Sequence, residues 1–283
     1  MASMIRISDV QDERLEDYRD LRDADLRGAR RLFTVESERV LSRYLTSGWN
    51  VTSVLVEEEV AARLESQLSA LDDSVPVYVT GNGLLRSISG YGFHGGALAL
   101  GRRPTHQDGL GALAPLLERE QVTLLAAEGV VHVDNLGSLF RNGACLGTDG
   151  ILLSPTCSDP LLRKAIRIST GRVFEVPWAF GSPWPELLTE LRTRHHFRII
   201  ALENTPSAQD IARMECGPRN VLLVGAEGHG LGEETLQLCD QILEIPGAPD
   251  RPVESMNVAV ASAIGLHELG SRLRGVEDLD LGR

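Results

Sequence analysis

The sequence predicts an α/β protein of two domains, the second built on a mostly parallel sheet with helices on both faces. Three observations carry this. The chain has 283 residues, long for one ordinary domain, and its 42% hydrophobic content can fill two cores. Beyond residue 120, short apolar runs alternate with helical patterns, the rhythm of β-α units. A composition break at Arg102–Leu113 (RRPTHQDGLGAL) separates that rhythm from an earlier one and reads as a linker. The expected division is 1–101, a linker over 102–120, and 121–283.

Taken in order, residues 10–31 are charge-dense, with Leu15, Tyr18, Leu21 and Leu26 near helical spacing and a basic end at Arg27, Arg30 and Arg31. VESERVLSRYLTSG predicts a helix whose face is Val40, Leu41, Tyr44 and Leu45, with Gly48 as C-cap. VTSVLVE (51–57) and VPVYVTG (75–81) read as strands around the helical EEEVAARLESQLSAL, and Ala97–Leu100 as another. In the second domain VTLLAAEG, GILLSP, VFEVPW, FRIIALE, NVLLVGAEG and ILEIPG are predicted strands. NLGSLFRNGACLG, RKAIRIST, PWPELLTELRTR, EETLQLCD and SMNVAVASAIGLHELGSRL are predicted helices. Trp178 and Trp184, beside prolines, are expected to pack in the core.

No window approaches the roughly 18 apolar residues of a membrane span. The acidic, polar N-terminus has no apolar signal core, so a soluble cytoplasmic protein is expected. Cys145, Cys157, Cys216 and Cys239 fall in no metal-ligand spacing and read as reduced, mostly buried thiols. The histidines (His94, His132, His195, His196, His229) form no ligand pattern, since the adjacent His195 and His196 cannot easily share an ion, and no metal is expected. The formal charge of −12 argues against a protein that coats nucleic acid nonspecifically. The charge is segregated, however. Residues 151–200 carry seven basic residues, Arg163 and Arg167 among them, against four acidic; residues 201–250 carry two against nine. Arginine forks in the first window suit phosphate contacts.

Chemistry concentrates in VLLVGAEGHGLGEE (221–234), where an apolar strand runs into a glycine-dense loop that lets backbone approach a ligand. The order Gly225-x-x-Gly228-x-Gly230 is not a G-x-G-x-x-G fingerprint and lies late in the chain, which disfavours a nicotinamide-dependent oxidoreductase. Two other segments join it. In VDNLGSLFRNGACLGTDGILLSP (133–155), Asn135 is placed to start a helix and Arg141 lies nearly two turns on. In IPGAPDRPVESMNVAVASAIGLHEL (245–269), Ser255-Met256-Asn257 heads an alanine-rich helix.

With these segments the sequence resembles the SpoU/TrmH-type members of the knotted SPOUT methyltransferases, which pass a methyl group from S-adenosylmethionine to a ribose 2′-hydroxyl of RNA. The resemblance rests on three ordered signatures: Asn135-Leu-Gly137-Ser-Leu-Phe-Arg141 with Gly147-x-x-Gly150, Leu223-Val224-Gly225-Ala226-Glu227-Gly228-x-Gly230-Leu231, and Ile245-Pro246-Gly247 with Glu254-Ser255-Met256-Asn257-Val258. It covers about 120–270. The first third, with RRLFTVESERVLSRYL, is similar to the family's smaller RNA-binding α/β sandwich domain. Met256 stands where the family has leucine, and Ser37 where glycine is common.

The resemblance implies a deep trefoil knot, an S-adenosylmethionine cofactor and a homodimer formed through the C-terminal domain. It implies catalytic roles for Arg141, Asn135, Glu227, Ser255 and Asn257, with Arg141 closest to the 2′-hydroxyl. A guanidinium rarely deprotonates, so the expected role is to hold the adjacent phosphate and stabilise the developing alkoxide. Asn135 and Asn257 are expected to orient Arg141 and the ribose, and Glu227 to fix the arginine or a backbone amide. Cofactor contacts are implied at Leu202, Val224, Gly225, Ala226, Gly228, Ile245, Pro246, Gly247 and Met256. RNA contacts are expected at Arg27, Arg30, Arg31, Arg163 and Arg167. Ribosomal RNA is expected over transfer RNA, with no membrane partner. The rival of another class is a non-catalytic RNA-binding or ribosome-assembly protein of the same fold.

Overall fold

The computed structural model describes residues 4–19, 30–81, 83–89, 95–105, 108–248 and 255–280. Its chain divides into two compact units, Met1–Thr105 with Pro160–Glu175, and His106–Asp159 with Val176–Arg283. The boundary differs from the expected one at two places. Residues 160–175 join the first unit. The expected linker also contains short helical turns, Leu110–Leu113 and Ala114–Leu117, whose Leu113 is buried in the second unit's core.

In the first unit, strands β1 (Met4–Ile7), β2 (Leu32–Glu36), β3 (Val51–Glu57), β4 (Val77–Thr80) and β5 (Ala97–Arg102) form a mixed sheet in the order β1-β4-β3-β5-β2. Strands β2 and β4 are buried at every position, so both faces are covered. One face packs Leu55, Leu98 and Leu100 against Leu15, Tyr18 and Leu85. Of the helix expected over 10–31, a 3₁₀ turn at Glu13–Tyr18 is described; Leu21, Leu26 and Arg27 lie outside the described residues. Helix α1 (Glu38–Thr46) buries Val40, Leu41 and Tyr44 of its predicted face, while Leu45 is only half-buried. Its Tyr44 ring meets Phe33 and Phe174, and Phe174 also meets Trp49. Residues 160–175 therefore complete this core. Arg43 Nη1 donates to the Thr170 carbonyl at 2.5 Å, and Arg163 pairs with Glu36 at 2.5 Å.

The second unit is a seven-stranded, wholly parallel sheet: β6 (Val122–Ala127), β7 (Gly150–Leu153), β8 (Trp178–Phe180), β9 (Arg198–Leu202), β10 (Gln209–Asp210), β11 (Arg219–Val224) and β12 (Gln241–Glu244), in the order β10-β12-β9-β11-β6-β7-β8. A parallel strand covered on both faces reads as a continuous apolar run, and VTLLAA, GILL and RIIAL do. The strand expected at VFEVPW falls later, because Arg172–Phe174 forms a 3₁₀ turn in the first unit. Trp178 and Trp184 are buried as expected. Helices α2 (Val133–Leu146), α3 (Trp184–Thr193) and α4 (Val258–Asp280) flank the sheet. Among the described residues no helix is long and apolar enough to cross a membrane.

Strand register decides where the site lies. Val224 of β11 pairs with both Ala127 of β6 and Leu202 of β9, and Leu202 pairs with Leu243 of β12. Glu128, Gly225 and Glu203 therefore leave the sheet side by side at its carboxyl edge, next to Glu244 at the end of β12, where open parallel sheets bind ligands.

Candidate active site

The glycine-dense loop after β11 turns back on itself at that edge. Ala226 and Gly230 form a two-residue bridge, and Gly230 N donates to Ala226 O at 3.0 Å. Gly228 and Gly230 take φ of +97° and +65°, which other residues rarely adopt. Gly225 is required for a different reason. A Cβ there would stand 2.4 Å from the Gly230 carbonyl carbon and 2.6 Å from Leu231 N, so the two legs of the loop approach through bare backbone.

Beside the loop lies a cavity of about 280 Å³. Of the expected cofactor contacts, Leu202, Val224, Gly225, Ala226, Gly228, Ile245 and Met256 line it. Pro246 and Gly247 do not; the backbone carries them outward into exposed positions. Ser255 lines the cavity rather than capping the helix behind it. Glu203, Glu227, His229 and Glu244 also line it, and no arginine or lysine does among the described residues.

The polar signature residues meet at the mouth. Glu227 Oε1 accepts from Asn135 Nδ2 and, at 3.0 Å, from Asn257 Nδ2, which also donates to Asn135 Oδ1 at 3.0 Å. These residues are 92 and 30 positions apart along the chain, and each arrives on a different element. Asn257 also caps α4, its Oδ1 accepting from Ala259 N at 3.0 Å and Val260 N at 3.2 Å. One side chain thus supplies helix cap and network together.

Three expectations are corrected here. Asn135 does not start its helix. Helix α2 begins at Val133 after His132, and Asn135 sits inside the first turn with its amide free to reach Glu227. Glu227 fixes two asparagine amides, not an arginine or a backbone amide. Arg141 is not oriented by Asn135 or Asn257: it is exposed, and among the described residues it has no hydrogen-bond or ion-pair partner.

The expected RNA contacts separate. Arg163 is committed to Glu36 within the first unit, its side chain only 17% exposed, so it is a structural ion pair and not a free phosphate ligand. Arg30 pairs with Asp17, and Arg31 Nη2 donates to the Pro104 carbonyl at 3.2 Å. Arg167 is exposed. Arg27, like Glu254 and His94, lies outside the described residues. The cysteines are free, but only Cys157 is buried, where its thiol donates to Ala127 O; Cys145 is exposed.

Two residues that sequence reasoning missed hold the loop. Glu203 Oε2 accepts from Leu231 N at 2.8 Å, and Glu128 Oε1 accepts from Gly232 N at 2.9 Å. The sequence does carry a signal for them: each is the first acidic residue after an apolar strand, in LLAAEG and IIALEN.

A family model described as the SpoU rRNA Methylase family matches residues 123–267. A Mycobacterium bovis protein described as an uncharacterized tRNA/rRNA methyltransferase is 32% identical over 269 residues, 93% of this chain and 90% of that protein. A 23S rRNA (guanosine-2′-O-)-methyltransferase of Haemophilus ducreyi is 28% identical over 154 residues, 54% of this chain and 61% of that one. The crystal structure of the SpoU methyltransferase AviRb from Streptomyces viridochromogenes, in complex with AdoMet, shares the fold with a TM-score of 0.77 at 21% identity, over 93% of this chain and 99% of that one.

Proposed function

The chain belongs to the SpoU rRNA Methylase family, and from that premise we propose that it transfers a methyl group from S-adenosylmethionine to a ribose 2′-hydroxyl of RNA. The observation that carries the proposal is the closure of Asn135, Glu227 and Asn257 on one another beside a cleft walled by glycine backbone. The cleft fits the cofactor on its own chemistry. Leu202, Val224, Ile245 and Met256 offer apolar surface for a planar heterocycle, and Gly225, Ala226 and Gly228 bring the loop to the same wall with little or no side chain. The Glu203 carboxylate is spent on backbone amides, which leaves Glu227 and Glu244 as the acidic lining residues with no lysine or arginine among the described residues. That lining suits a ligand bearing positive charge and opposes a pyrophosphate, which disfavours a nicotinamide dinucleotide.

When bound, S-adenosylmethionine supplies an electrophilic methyl group on a sulfonium. The protein's own residues do the rest. Glu227, tethered by two amides, holds the loop tip against α2 and α4 and so sets the geometry of approach. Arg141, exposed and free among the described residues, presents a guanidinium that can take a phosphate and stabilise charge developing on the ribose oxygen.

We propose further that the first unit binds RNA, and that ribosomal RNA is the acceptor rather than transfer RNA, the support being a separate sandwich unit appended to the methylase region. The expected knot belongs to the same reading; its support is a path that jumps from β8 to β9 across three strands and from β11 over β9 to β12. A homodimer through α2 and α4 is supported by the groove that Asn135, Asn142, Val260 and Ile264 line, with Val260 50% exposed. Light scattering at micromolar concentration tests it, and a fully active strict monomer would refute it.

Radiolabelled S-adenosylmethionine with ribosomal or transfer RNA is the direct test. The labelled product should resist alkaline cleavage on the 3′ side of the modified nucleotide. Label on a base would overturn the assignment. RNA binding with no transfer would favour the non-catalytic alternative.

A further inference from the structure

We propose that Glu203 is a positioning residue which, with Glu128, clamps the return leg of the glycine-dense loop and thereby fixes the wall of the cofactor cleft. The proposal rests on the cofactor reading above. Loop amides that leave a parallel sheet have no strand partner, and a buried N–H without an acceptor is costly. Here two successive amides, that of the buried Leu231 and that of the exposed Gly232, find carboxylates on two different strand ends. Leu231 N donates to Glu203 Oε2 at 2.8 Å, just past β9, and Gly232 N donates to Glu128 Oε1 at 2.9 Å, just past β6.

Because β11 runs between β6 and β9, the clamp closes over the strand from which the loop departs. Each carboxylate is itself held. Glu128 Oε2 accepts from Trp184 Nε1 at 2.7 Å, and Glu203 Oε1 accepts from Asn204 N at 3.3 Å. The carboxylate of Glu203 also explains why position 230 is glycine: a Cβ there would lie 2.5 Å from Oε2.

The clamp acts on the cleft through the loop's own folding. Its return leg rests on Gly225 at distances no Cβ would allow, and Gly225, Ala226 and Gly228 line the cleft. Releasing Leu231 lets that leg move and opens the wall. The tip is held separately, since Glu227 is tied to Asn135 and Asn257. Loss of the clamp should therefore fall on cofactor affinity and spare the step that follows binding.

The test is Glu203→Ala and Glu203→Gln in the full chain. Three quantities are read: amide exchange at Leu231 without cofactor, calorimetric affinity for S-adenosylmethionine, and the division between KM and kcat. Glutamine keeps an acceptor oxygen for Leu231 and should stay within about threefold of the parent in all three. Alanine should speed Leu231 exchange and weaken cofactor affinity, each at least about tenfold, with kcat at saturating donor within about threefold. Unchanged exchange and affinity in Glu203→Ala would overturn the clamp. Equal impairment of both variants would also overturn it, because the charge would then act on the cofactor directly. If Glu203→Ala unfolds, Glu203→Gln with normal Leu231 exchange but tenfold weaker binding refutes the proposal by itself. If the parent protein binds no S-adenosylmethionine, the methyltransferase reading fails, while Leu231 exchange still decides the clamp.

Discussion

Asn257 performs two separable jobs, and substitution can divide them. Its Oδ1 caps α4, while its Nδ2 donates to Glu227 and Asn135. Asn257→Ser keeps a capping oxygen but removes both donated bonds, at a cost of about 0.5–1.5 kcal/mol each for groups this accessible. Asn257→Ala also loses the cap, about 1 kcal/mol more. Asn257→Asp keeps the cap but puts a carboxylate oxygen where Nδ2 now lies, 3.0 Å from Glu227 Oε1 and 3.0 Å from Asn135 Oδ1. Two unit charges at that separation in a mostly solvated setting repel by about 1–3 kcal/mol. Asp should therefore be less stable than Ser by about that amount at pH 7.

The sign with pH follows from the like charges. Their repulsion raises the pKa of one carboxyl in the folded state, so the penalty is present at neutral pH and fades as pH falls through that raised value. Urea unfolding of the Ser and Asp variants at pH 7 and pH 4.5 should show the gap narrowing. In methyl transfer, Asp should lose at least about a hundredfold, because the Glu227 tether becomes a repulsion. An aspartate variant as stable and as active as the serine variant, at both pH values, would refute the account of the network.

Arg141→Ala should abolish methyl transfer while changing stability by less than about 0.5 kcal/mol and cofactor affinity by less than about threefold, since the side chain is exposed and without a partner among the described residues; a matching loss of cofactor binding in calorimetry would show it on the donor side instead. Ser37 sits at φ 78°, ψ 148°, with no side-chain capping bond, a conformation suited to glycine. Ser37→Gly should raise stability by about 0.5–1 kcal/mol in urea unfolding. Burial pushes the Cys239 thiol up to about 12 and raises those of Cys157 and Cys216 as well, so all three stay protonated at pH 8. Brief alkylation at that pH should label the exposed Cys145 first, and peptide mapping that finds Cys157 or Cys239 labelled first would contradict the described packing.

Much of the molecule was legible in residue order. VTLLAA, GILL and RIIAL announced a parallel sheet because strands buried on both faces admit only apolar side chains. The three signatures mark the loop and the two helix starts that meet at its edge, and Leu202, Gly225, Ile245 and Met256, which the resemblance implies as cofactor contacts, all line the cavity there. What residue order could not decide was partnership. Arg163 and Arg141 are the same residue type on predicted helices of the same region, yet one is spent on Glu36 and the other is free among the described residues. Asn135 reads as a helix cap and instead reaches across 92 positions to Glu227. Glu128 and Glu203 look like ordinary solvated carboxylates until strand register brings them to either side of the glycine loop. Apolar burial is encoded locally, by the period of the pattern, so sequence determined the sheet and its helices. A hydrogen bond or ion pair needs a partner within about 3 Å, and for residues far apart in the chain only the crossing order and register of the strands bring that partner into reach.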